Sequence, residues 1–180
     1  SEIDPQYKAN REEAPDDFGG QVDKCLDILE ALGIPVLGEP VVEADDVIAS
    51  LVKRMRLEQP DLQIRIISRD KDLTQLIDDH VELFDAHKGQ TVVPDDVFKT
   101  PGMNIPPEKV GDILAMMGDT SDNISGVPGV GPKTAAKLIM EYGSIAGVYE
   151  NIDQIKGKRK ENLLASRDIL KLSRQLVTLK

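Results

Sequence analysis

Apolar residues recur at helical spacing in two segments of the first third of the chain. The first segment, residues 21–32, precedes Gly33, which favours a helix end there. Its apolar positions are Val22, Cys25, Leu26, Ile28, Leu29 and Leu32. The second, residues 43–59, carries Val47, Ile48, Leu51, Val52 and Met55 on one face and stops at Pro60. Both patterns predict amphipathic helices.

Short apolar runs between and after these helices predict β-strands. They are "IPVL" at 34–37, "QIRIIS" at 63–68, "VELFD" at 81–85 and "QTVV" at 90–93. The last two flank "AHKG" and suggest a hairpin, while "KDLTQLI" at 71–77 predicts a short helix. Alternation of helices and strands is typical of a doubly wound α/β layer.

The pattern changes after Pro94. Residues 106–119, 132–143, 144–151 and 158–176 all show helical character, with Gly and Pro between them. We therefore expect an α/β fold in which a mostly parallel sheet has flanking helices and a C-terminal helical subdomain. The expected division is a polar loop at 1–20, an α/β part at 21–100 and a helical part at 101–180.

Composition excludes several classes of protein. The 180 residues carry a net charge of −10 and hold no apolar run long enough to span a membrane. Cys25 is the only cysteine, which rules out a disulfide framework and favours a reducing cytosol. Cys25 lies on the apolar face of its helical pattern, so we expect a small buried residue rather than a thiol nucleophile.

Acidic residues form three clusters, each with an ordinary structural explanation. Glu43, Asp45 and Asp46 stand at a predicted helix start, where the helix dipole favours them. Asp70 and Asp72 follow a buried strand, and Asp72 could cap the next helix. A third cluster, Asp119 and Asp122 in "GDTSDN", could form an Asx-rich turn.

Together the clusters indicate a metal site. Seven carboxylates brought into one place would repel one another unless cations neutralised them. Hard divalent ions such as Mg²⁺ and Mn²⁺ take carboxylate oxygens, and a pair of them can promote hydrolysis of a phosphodiester. No His or Cys accompanies the clusters, which argues against zinc.

The stretch "GVPGVGPKT", residues 126–134, superficially resembles a nucleotide-binding P-loop. A P-loop has a glycine followed directly by a lysine, whereas here Pro132 separates Gly131 from Lys133. A helix, and not a strand, precedes the stretch. Pro132 instead starts a helix whose N–H groups suit a phosphate, with Lys133 and Lys137 one turn apart. Backbone N–H groups and lysines of this kind would position a phosphate without reading sequence. The basic run 156–160, "KGKRK", fits either a solvated surface or a DNA contact.

Four blocks carry a family resemblance: "YKANR", "VEADDVIASL", "SRDKDLTQL" and "MGDTSDNISGVPGVGPKTAAKLI", in that order. With them the chain resembles the 5′ nuclease family, which comprises the 5′→3′ exonuclease domain of bacterial DNA polymerase I, its stand-alone bacterial and phage relatives, and the flap endonucleases. The resemblance runs from Tyr7 to the C-terminus.

The resemblance implies roles for individual residues. Seven carboxylates are expected to hold two or more Mg²⁺ or Mn²⁺ ions around the scissile phosphate: Glu43, Asp45, Asp46, Asp70, Asp72, Asp119 and Asp122. Tyr7, Lys8 and Arg11 match the base of the helical arch, where a lysine stabilises the phosphate in the transition state and a tyrosine stacks on a base. Lys8 and Arg11 are the expected catalytic residues. The glycine stretch matches a helix–hairpin–helix that grips duplex DNA and can bind K⁺ through carbonyls, through Gly126, Gly129, Gly131, Lys133, Thr134 and Lys137.

The expected function follows from the resemblance. It is metal-dependent 5′→3′ exonuclease or 5′-flap endonuclease activity on DNA with a 5′ flap, nick or end, in replication and repair in the bacterial cytoplasm at the nucleoid. Val42 and Arg69 depart from the family pattern without removing a ligand. Family members begin with a strand and further acidic residues upstream of "YKANR". We therefore expect residues 1–20 to be an arch remnant, this chain alone to be weak or inactive, and a second chain or N-terminal fragment to complete the sheet.

Two other functions remain open at this stage. A receiver-like phosphotransfer domain would explain the α/β layer and the Asp70–Asp72 pair through an aspartyl phosphate, but not the glycine stretch. The other is a non-catalytic module that binds structured duplex DNA and whose catalysis has lapsed; it would bind a nicked or flapped duplex in EDTA and not cleave it with Mn²⁺.

Overall fold

The computed structural model describes residues 4–179, which form an α/β fold with many helices and one small sheet. The helices are α1 (Phe18–Ala31), α2 (Ala44–Glu58), α3 (Pro94–Val97), α4 (Pro107–Met117), α5 (Pro132–Tyr142), α6 (Ile145–Glu150), α7 (Lys158–Ala165) and α8 (Arg167–Val177). Short 3-10 helices span Lys71–Leu76 and Ile152–Gln154. The α/β class and the C-terminal helical part are therefore confirmed.

The sheet contains three strands in the order β1 (Ile64–Ile67), β2 (Val81–Asp85) and β3 (Gln90–Val92). β1 and β2 are parallel, with Ile66 opposite Leu83, and β3 returns antiparallel to β2 as the expected hairpin. The sheet is thus mixed, and the connection from β1 to β2 runs through residues 71–76, whose Leu73 packs against the sheet.

Hydrophobic burial occurs in two places. One cluster lies on the sheet, where Val52 of α2 and Leu73 pack against the strand residues Ile66, Val81 and Leu83. The larger cluster surrounds α4 and joins it to α5, α7 and α8. Its fully buried members include Phe98, Val110, Ile113, Met116, Ile139, Leu163 and Leu170. The site described below lies where these two clusters meet.

Prolines and glycines set the limits of the helices around the site. α4 and α5 both carry proline in their first turn, where its missing N–H costs nothing. Gly118 and Gly143, with φ of 72° and 83°, end the same two helices in conformations that side chains disfavour. These signals explain why the helical segments could be read directly from the sequence.

The strand expected at residues 34–37 is absent, and this prediction was wrong. Residues 34–37 have no regular structure, and Ile34, Val36 and Leu37 are all exposed. Within residues 4–179, no strand pairs with the outer edge of β1. An apolar run forms a strand only where a neighbouring strand satisfies its backbone groups, and residues 34–37 pair with no strand of residues 4–179.

The expected burial of Cys25 was also wrong. α1 forms, but none of its residues is buried and Cys25 is exposed. Its apolar face, including Phe18, Val22 and Leu26, meets no other part of residues 4–179 closely enough to be covered. Helical periodicity therefore identified an apolar face correctly but not what covers it.

Smaller differences follow from local backbone chemistry. The predicted helix at 158–176 is two helices divided at Ser166, which is buried. The segment after β1 is a 3-10 helix capped by Asp70, whose side chain accepts the N–H of Asp72 at 3.0 Å. Asp70, and not Asp72, is therefore the capping residue. Across residues 4–179, no helix is both long enough and apolar enough to cross a membrane.

Candidate active site

Each acidic cluster lies at the end of an element. Glu43 is the N-cap of α2, and Asp45 and Asp46 lie in its first turn. Asp70 and Asp72 follow β1 and begin the 3-10 helix. Asp119 and Asp122 lie in the loop between α4 and α5, residues 118–131. In an open α/β sheet the region beyond the strand ends is the usual ligand site.

The loop between α4 and α5 is folded tightly on itself. Asp119 and Ile124 form an isolated antiparallel bridge with N–H···O distances of 2.9 and 2.7 Å. Gly118 and Gly126 lie back to back: a Cβ on Gly126 would be 2.4 Å from the carbonyl carbon of Met117. Gly126 thus closes the loop, because a methyl group at this position would overlap the backbone.

The N-terminal segment docks on this loop from more than 100 residues away in sequence. The Lys8 N–H donates to the carbonyl of Asp122 at 2.9 Å, and Asn10 Nδ2 donates to the carbonyl of Thr120 at 2.7 Å. In return Asn123 Nδ2 donates to the carbonyl of Gln6 at 2.7 Å. Lys8 has a φ of 60°, a sparsely populated conformation for a lysine that this docking holds in place.

Docking brings the expected arch residues onto two acidic clusters. Lys8 Nζ hydrogen-bonds Glu43 Oε2 and lies 3.8 Å from Asp122 Oδ2. Arg11 donates to Asp122 Oδ1 at 2.6 Å. The Tyr7 hydroxyl lies 3.2 Å from Glu43 Oε2, and burial raises the pKa of Tyr7 to about 12. Tyr7 therefore stays protonated at neutral pH and acts as a hydrogen-bond donor.

Lys71 makes a corresponding link between the second cluster, at the end of β1, and the third, in the loop after α4. Its ammonium group hydrogen-bonds Asp119 Oδ2 and lies 3.7 Å from Asp72 Oδ1. Burial acts to raise the pKa of Asp119, but hydrogen bonds from Lys71 and Ser121 outweigh it and hold this pKa below its ordinary value. Asp119 is therefore fully ionised at neutral pH.

Asp72 is the most perturbed carboxyl group of the site. Burial is the main cause that raises its pKa to about 6; Lys71 opposes the shift, and the charges of Asp70, Asp119 and Asp122 add to it. Within residues 4–179 its buried Oδ1 atom has no hydrogen-bond partner. Burial, followed by the charge of Asp70, also raises the pKa of Asp45. These mutual effects show that the three clusters form one electrostatic site.

The carboxylates are close but are not gathered around a single point. In the part of the chain that the structure describes, no three acidic, histidine or cysteine side chains have the spacing of a metal site. Basic groups lie among them instead, since Lys8, Arg11 and Lys71 each pair with one or two carboxylates. Asp72 still has a raised pKa although Lys71 lies 3.7 Å from its Oδ1 atom, so this ion pair does not offset its burial.

The glycine stretch presents a different surface. Lys133 and Lys137 of α5 are exposed, and neither has an ion pair within residues 4–179. A Cβ on Gly131 would meet nothing within 4 Å, and Gly129 has a φ of 76°. The Thr134 N–H is turned inward, to the carbonyl of Gly131 at 3.0 Å. The surface around Gly131 is therefore open to a ligand, whereas Gly126 is occupied with packing.

Sequence reasoning missed several residues of the site. Lys71 stands between Asp70 and Asp72, and a lysine flanked by two candidate ligands was a usable signal. Asn10 and Asn123 hold the N-terminal segment to the loop; both lie within the blocks "YKANR" and "GDTSDN", and that shared membership was the usable signal.

Comparison with known families identifies both halves of the chain. The model of the 5′-3′ exonuclease N-terminal resolvase-like domain matches residues 1–102, and that of the 5′-3′ exonuclease C-terminal SAM fold matches residues 105–180. DNA polymerase I of Mycobacterium tuberculosis H37Rv is 40% identical over 179 residues, and thermostable DNA polymerase I of Thermus aquaticus is 39% identical over 167. These matches cover 97% and 93% of this chain but only 19% and 20% of the polymerases.

Solved structures agree. A variant of bacteriophage T5 5′-exonuclease superimposes with a TM-score of 0.76 at 28% identity, over 99% of this chain and 68% of that one. A bacteriophage T5 flap endonuclease in a pseudo-enzyme–product complex with DNA and metal ions gives a TM-score of 0.76 at 27% identity, over 99% and 68%. The T5 5′-exonuclease has also been solved with divalent zinc ions bound, with a TM-score of 0.76.

The fold is that of the bacteriophage T5 5′-exonuclease, and the two matched domain models specify the family. The chain belongs to the 5′-3′ exonuclease family. It spans about a fifth of the length of the DNA polymerases that it matches.

Proposed function

We propose that this chain carries the 5′→3′ exonuclease and 5′-flap endonuclease activity of a larger DNA-processing protein, and that the activity depends on divalent metal ions. The observation that carries the proposal is the meeting of four distant segments through ion pairs of Lys8, Arg11 and Lys71 with acidic residues of all three clusters. The segments are residues 4–11, the start of α2, the end of β1 and the loop after α4. The bacterial polymerase relatives favour a role in DNA replication and repair in the bacterial cytoplasm.

The residues present fit a hard divalent cation. A buried carboxylate oxygen without a donor, beside further carboxylates and with a raised pKa, is a place where added positive charge is favourable. Mg²⁺ and Mn²⁺ prefer such oxygen ligands. The residues that would hold the ions are the seven acids of the three clusters: Glu43, Asp45, Asp46, Asp70, Asp72, Asp119 and Asp122. Ions bound there would supply Lewis acidity toward a phosphodiester.

Lys8 and Arg11 have a separate role in this proposal. Their cationic groups stand beside Glu43 and Asp122 at the more exposed side of the site, and the Arg11 side chain is 57% exposed. A phosphate entering from that side would replace Glu43 and Asp122 as the partner of these two cations and would accept charge-assisted hydrogen bonds from them. Tyr7, a protonated aromatic donor at the same place, fits a stacking contact with a base.

DNA is the proposed substrate, with the duplex held by the glycine stretch and its two free lysines. The T5 flap endonuclease complex with DNA supports this proposal by similarity. Lys133 and Lys137 would contact phosphates from α5, and the open side of Gly131 would allow the backbone to approach. K⁺ bound by carbonyls of this stretch and a preference for flaps, nicks or ends belong to the same proposal.

The experiment uses the full-length protein and a 5′-flapped duplex. Cleavage is expected with Mg²⁺ or Mn²⁺ and not in EDTA. Asp119→Asn and Asp70→Asn are expected to abolish cleavage while leaving duplex binding largely intact. Asp61→Asn, a change of an exposed acid that precedes β1 at the opposite end of the strand from Asp70, is the matched control. Flap binding with no cleavage in either metal would instead establish a non-catalytic DNA-binding module.

We propose further that polypeptide outside residues 1–180, from the same protein or a second chain, covers α1 and extends the sheet at β1. The apolar face of α1 is exposed, and β1 has a free edge within residues 4–179. Open strand edges are prone to pairing. Sedimentation of residues 1–180 is the test: self-association supports the proposal, and a stable, cooperatively melting monomer contradicts it.

A further inference from the structure

Helix α8 contacts both of the segments that carry the second and third acidic clusters, although it holds none of the seven candidate ligands. The second cluster, Asp70 and Asp72, stands at the start of the 3-10 helix Lys71–Leu76, and the third lies in the loop 118–131. The two contacts link residues that are 102 and 48 positions apart in the chain. The proposed function leaves α8 without a role.

The first contact caps the C-terminal end of α8. Gln75 Nε2 donates to the carbonyl of Val177 at 2.9 Å. Val177 is the last residue of α8, so its carbonyl has no partner within the helix. Gln75 belongs to the same 3-10 helix as Asp72 and follows it by three residues, and residues three apart in such a helix lie on the same side. A displacement of Gln75 would therefore carry Asp72 with it.

The second contact is a buried hydrogen bond to the loop after α4. Ser173 Oγ donates to the carbonyl of Ser125 at 2.6 Å, and Ser173 is only 2% exposed. A buried hydroxyl group is unfavourable unless it is hydrogen-bonded, so this contact accounts for a serine at a core position of α8. Ser125 lies three residues after Asp122 in the loop. Ser173 and Val177 are four residues apart, so one face of α8 makes both contacts.

α8 is itself fixed on α4. Arg174 Nε donates to Asp112 Oδ1 at 2.6 Å, and the Asp112 side chain is largely buried. Gly111 of α4 allows a close approach, because a Cβ there would lie 2.7 Å from Arg174 Nη1 and 3.0 Å from Gln75 Oε1. α8 and the 3-10 helix are thus held against the same position of α4.

We propose that Gln75 and Ser173 are positioning residues, through which α8 fixes the second acidic cluster relative to the third and so raises the affinity of the site for divalent metal ions. This proposal rests on the proposed metal site. Residues that orient metal ligands through hydrogen bonds typically change metal affinity by about 10–100-fold when they are mutated. The two contacts act in series, because the loss of either one frees one cluster from the other, and the loss of the second then adds little.

The test is Mn²⁺ binding by the full-length protein without DNA, measured by the electron paramagnetic resonance signal of free Mn²⁺. The binding that Asp72→Asn abolishes defines the site. Gln75→Met and Ser173→Ala are each expected to lower the Mn²⁺ affinity of this site about tenfold. The variant with both changes is expected to lose about tenfold as well, and not about 100-fold, because the contacts act in series.

Tyr149→Phe is the matched control for Ser173→Ala. It removes another half-buried hydroxyl-to-carbonyl hydrogen bond of the helical part, from Tyr149 to Leu163 at 2.7 Å, which touches neither cluster. The two variants should lose similar thermal stability in EDTA, whereas Tyr149→Phe should keep the wild-type Mn²⁺ affinity. Should Ser173→Ala fail to fold, Gln75→Met decides alone, since it changes a residue that is only half-buried.

The outcomes distinguish this proposal from the proposed function. Wild-type Mn²⁺ affinity in Gln75→Met and Ser173→Ala would overturn the role of α8 and leave the metal site in place. A loss of about 100-fold in the double variant would also overturn it, since each residue would then act on its own cluster alone. Equal Mn²⁺ binding by Asp72→Asn and the wild type would overturn the metal site and the role of α8 together.

Discussion

Lys71 and Asp119 are 48 residues apart in the chain, and they form an ion pair where the segment after β1 meets the loop after α4. The pair joins the sheet to the helical part at the candidate active site. The Lys71 ammonium group affects two carboxyl groups differently. It helps to hold the pKa of Asp119 below its ordinary value, whereas Asp72, whose Oδ1 atom lies 3.7 Å from Lys71 Nζ, keeps a raised pKa. The contact is therefore both a structural link and a determinant of where an added cation would be most favourable.

Removal of the Lys71 charge is expected to destabilise the metal-free protein. Lys71→Met should lower the free energy of unfolding in EDTA at pH 7 by about 1 kcal/mol, because a half-buried carboxylate loses its partner. Urea denaturation measures this change. Because Asp119 has a lowered pKa, its contribution is lost as the pH falls through that value, so the difference between the two proteins should narrow below pH 3.8.

Lys71→Arg is the control for this prediction, since it keeps the charge and is expected to retain most of the wild-type stability. Equal stability of Lys71→Met and the wild type in EDTA at pH 7 would show that the ion pair contributes nothing.

Ionisation of Asp72 is expected to make the protein less stable as the pH rises. The pKa of this group is 3.8 when unperturbed and about 6 in the fold, so the folded state binds more protons between these values. Stability should therefore fall between about pH 4 and pH 6 in EDTA, by about 2–3 kcal/mol from this group. Asp72→Asn should remove this loss, so that the variant is more stable than the wild type at pH 8 and similar at pH 4.

Thermal melts at the two pH values provide the measurement, and Asp16→Asn is the exposed control. An Asp72→Asn protein that melts below the wild type at pH 8 would contradict the assigned raised pKa.

Two glycines of the same stretch are expected to respond in opposite ways to alanine. Gly126→Ala forces a methyl group against the backbone of Met117 and Gly118, and should cost about 2–3 kcal/mol or more of stability. Gly131→Ala meets nothing within 4 Å at an ordinary φ of −92°, so its stability should stay within about 0.5 kcal/mol.

Gly131→Ala should nevertheless weaken duplex binding if the DNA backbone approaches this position closely. Melting curves and duplex titrations of both variants provide the check. Full duplex affinity in a stable Gly131→Ala protein would show that the DNA passes elsewhere.

Cys25 reports whether α1 is covered. In residues 1–180 alone, the exposed thiol should react with a disulfide reagent about as fast as the same protein in urea. In the full-length protein the reaction should be much slower if further polypeptide packs on the α1 face. Equal rates in the two proteins would mean that the α1 face is open to solvent.

Helices with strong end signals could be predicted from the sequence, and so could the separate acidic clusters. Pro132 and Gly143 define α5 by local backbone restrictions, which act wherever the segment lies in the fold. The prediction of a strand at 34–37 was wrong because strand formation is not local. The apolar run is present, but a strand also needs a partner strand, which the run does not specify. The prediction that Cys25 is buried was wrong for the same reason, because periodicity identifies an apolar face and not what covers it.

The sequence by itself determined which residues can carry charge, bind cations or turn tightly, since these are properties of side chains and of glycine and proline backbones. Only the tertiary structure decided that Lys8 meets Glu43, that Lys71 meets Asp119, and that Asp72 keeps a buried oxygen without a donor. Those outcomes depend on contacts between segments up to 117 residues apart, such as Asn123 with Gln6. Burial and pairing, which set the pKa values of the site, arise from such contacts and not from any local pattern.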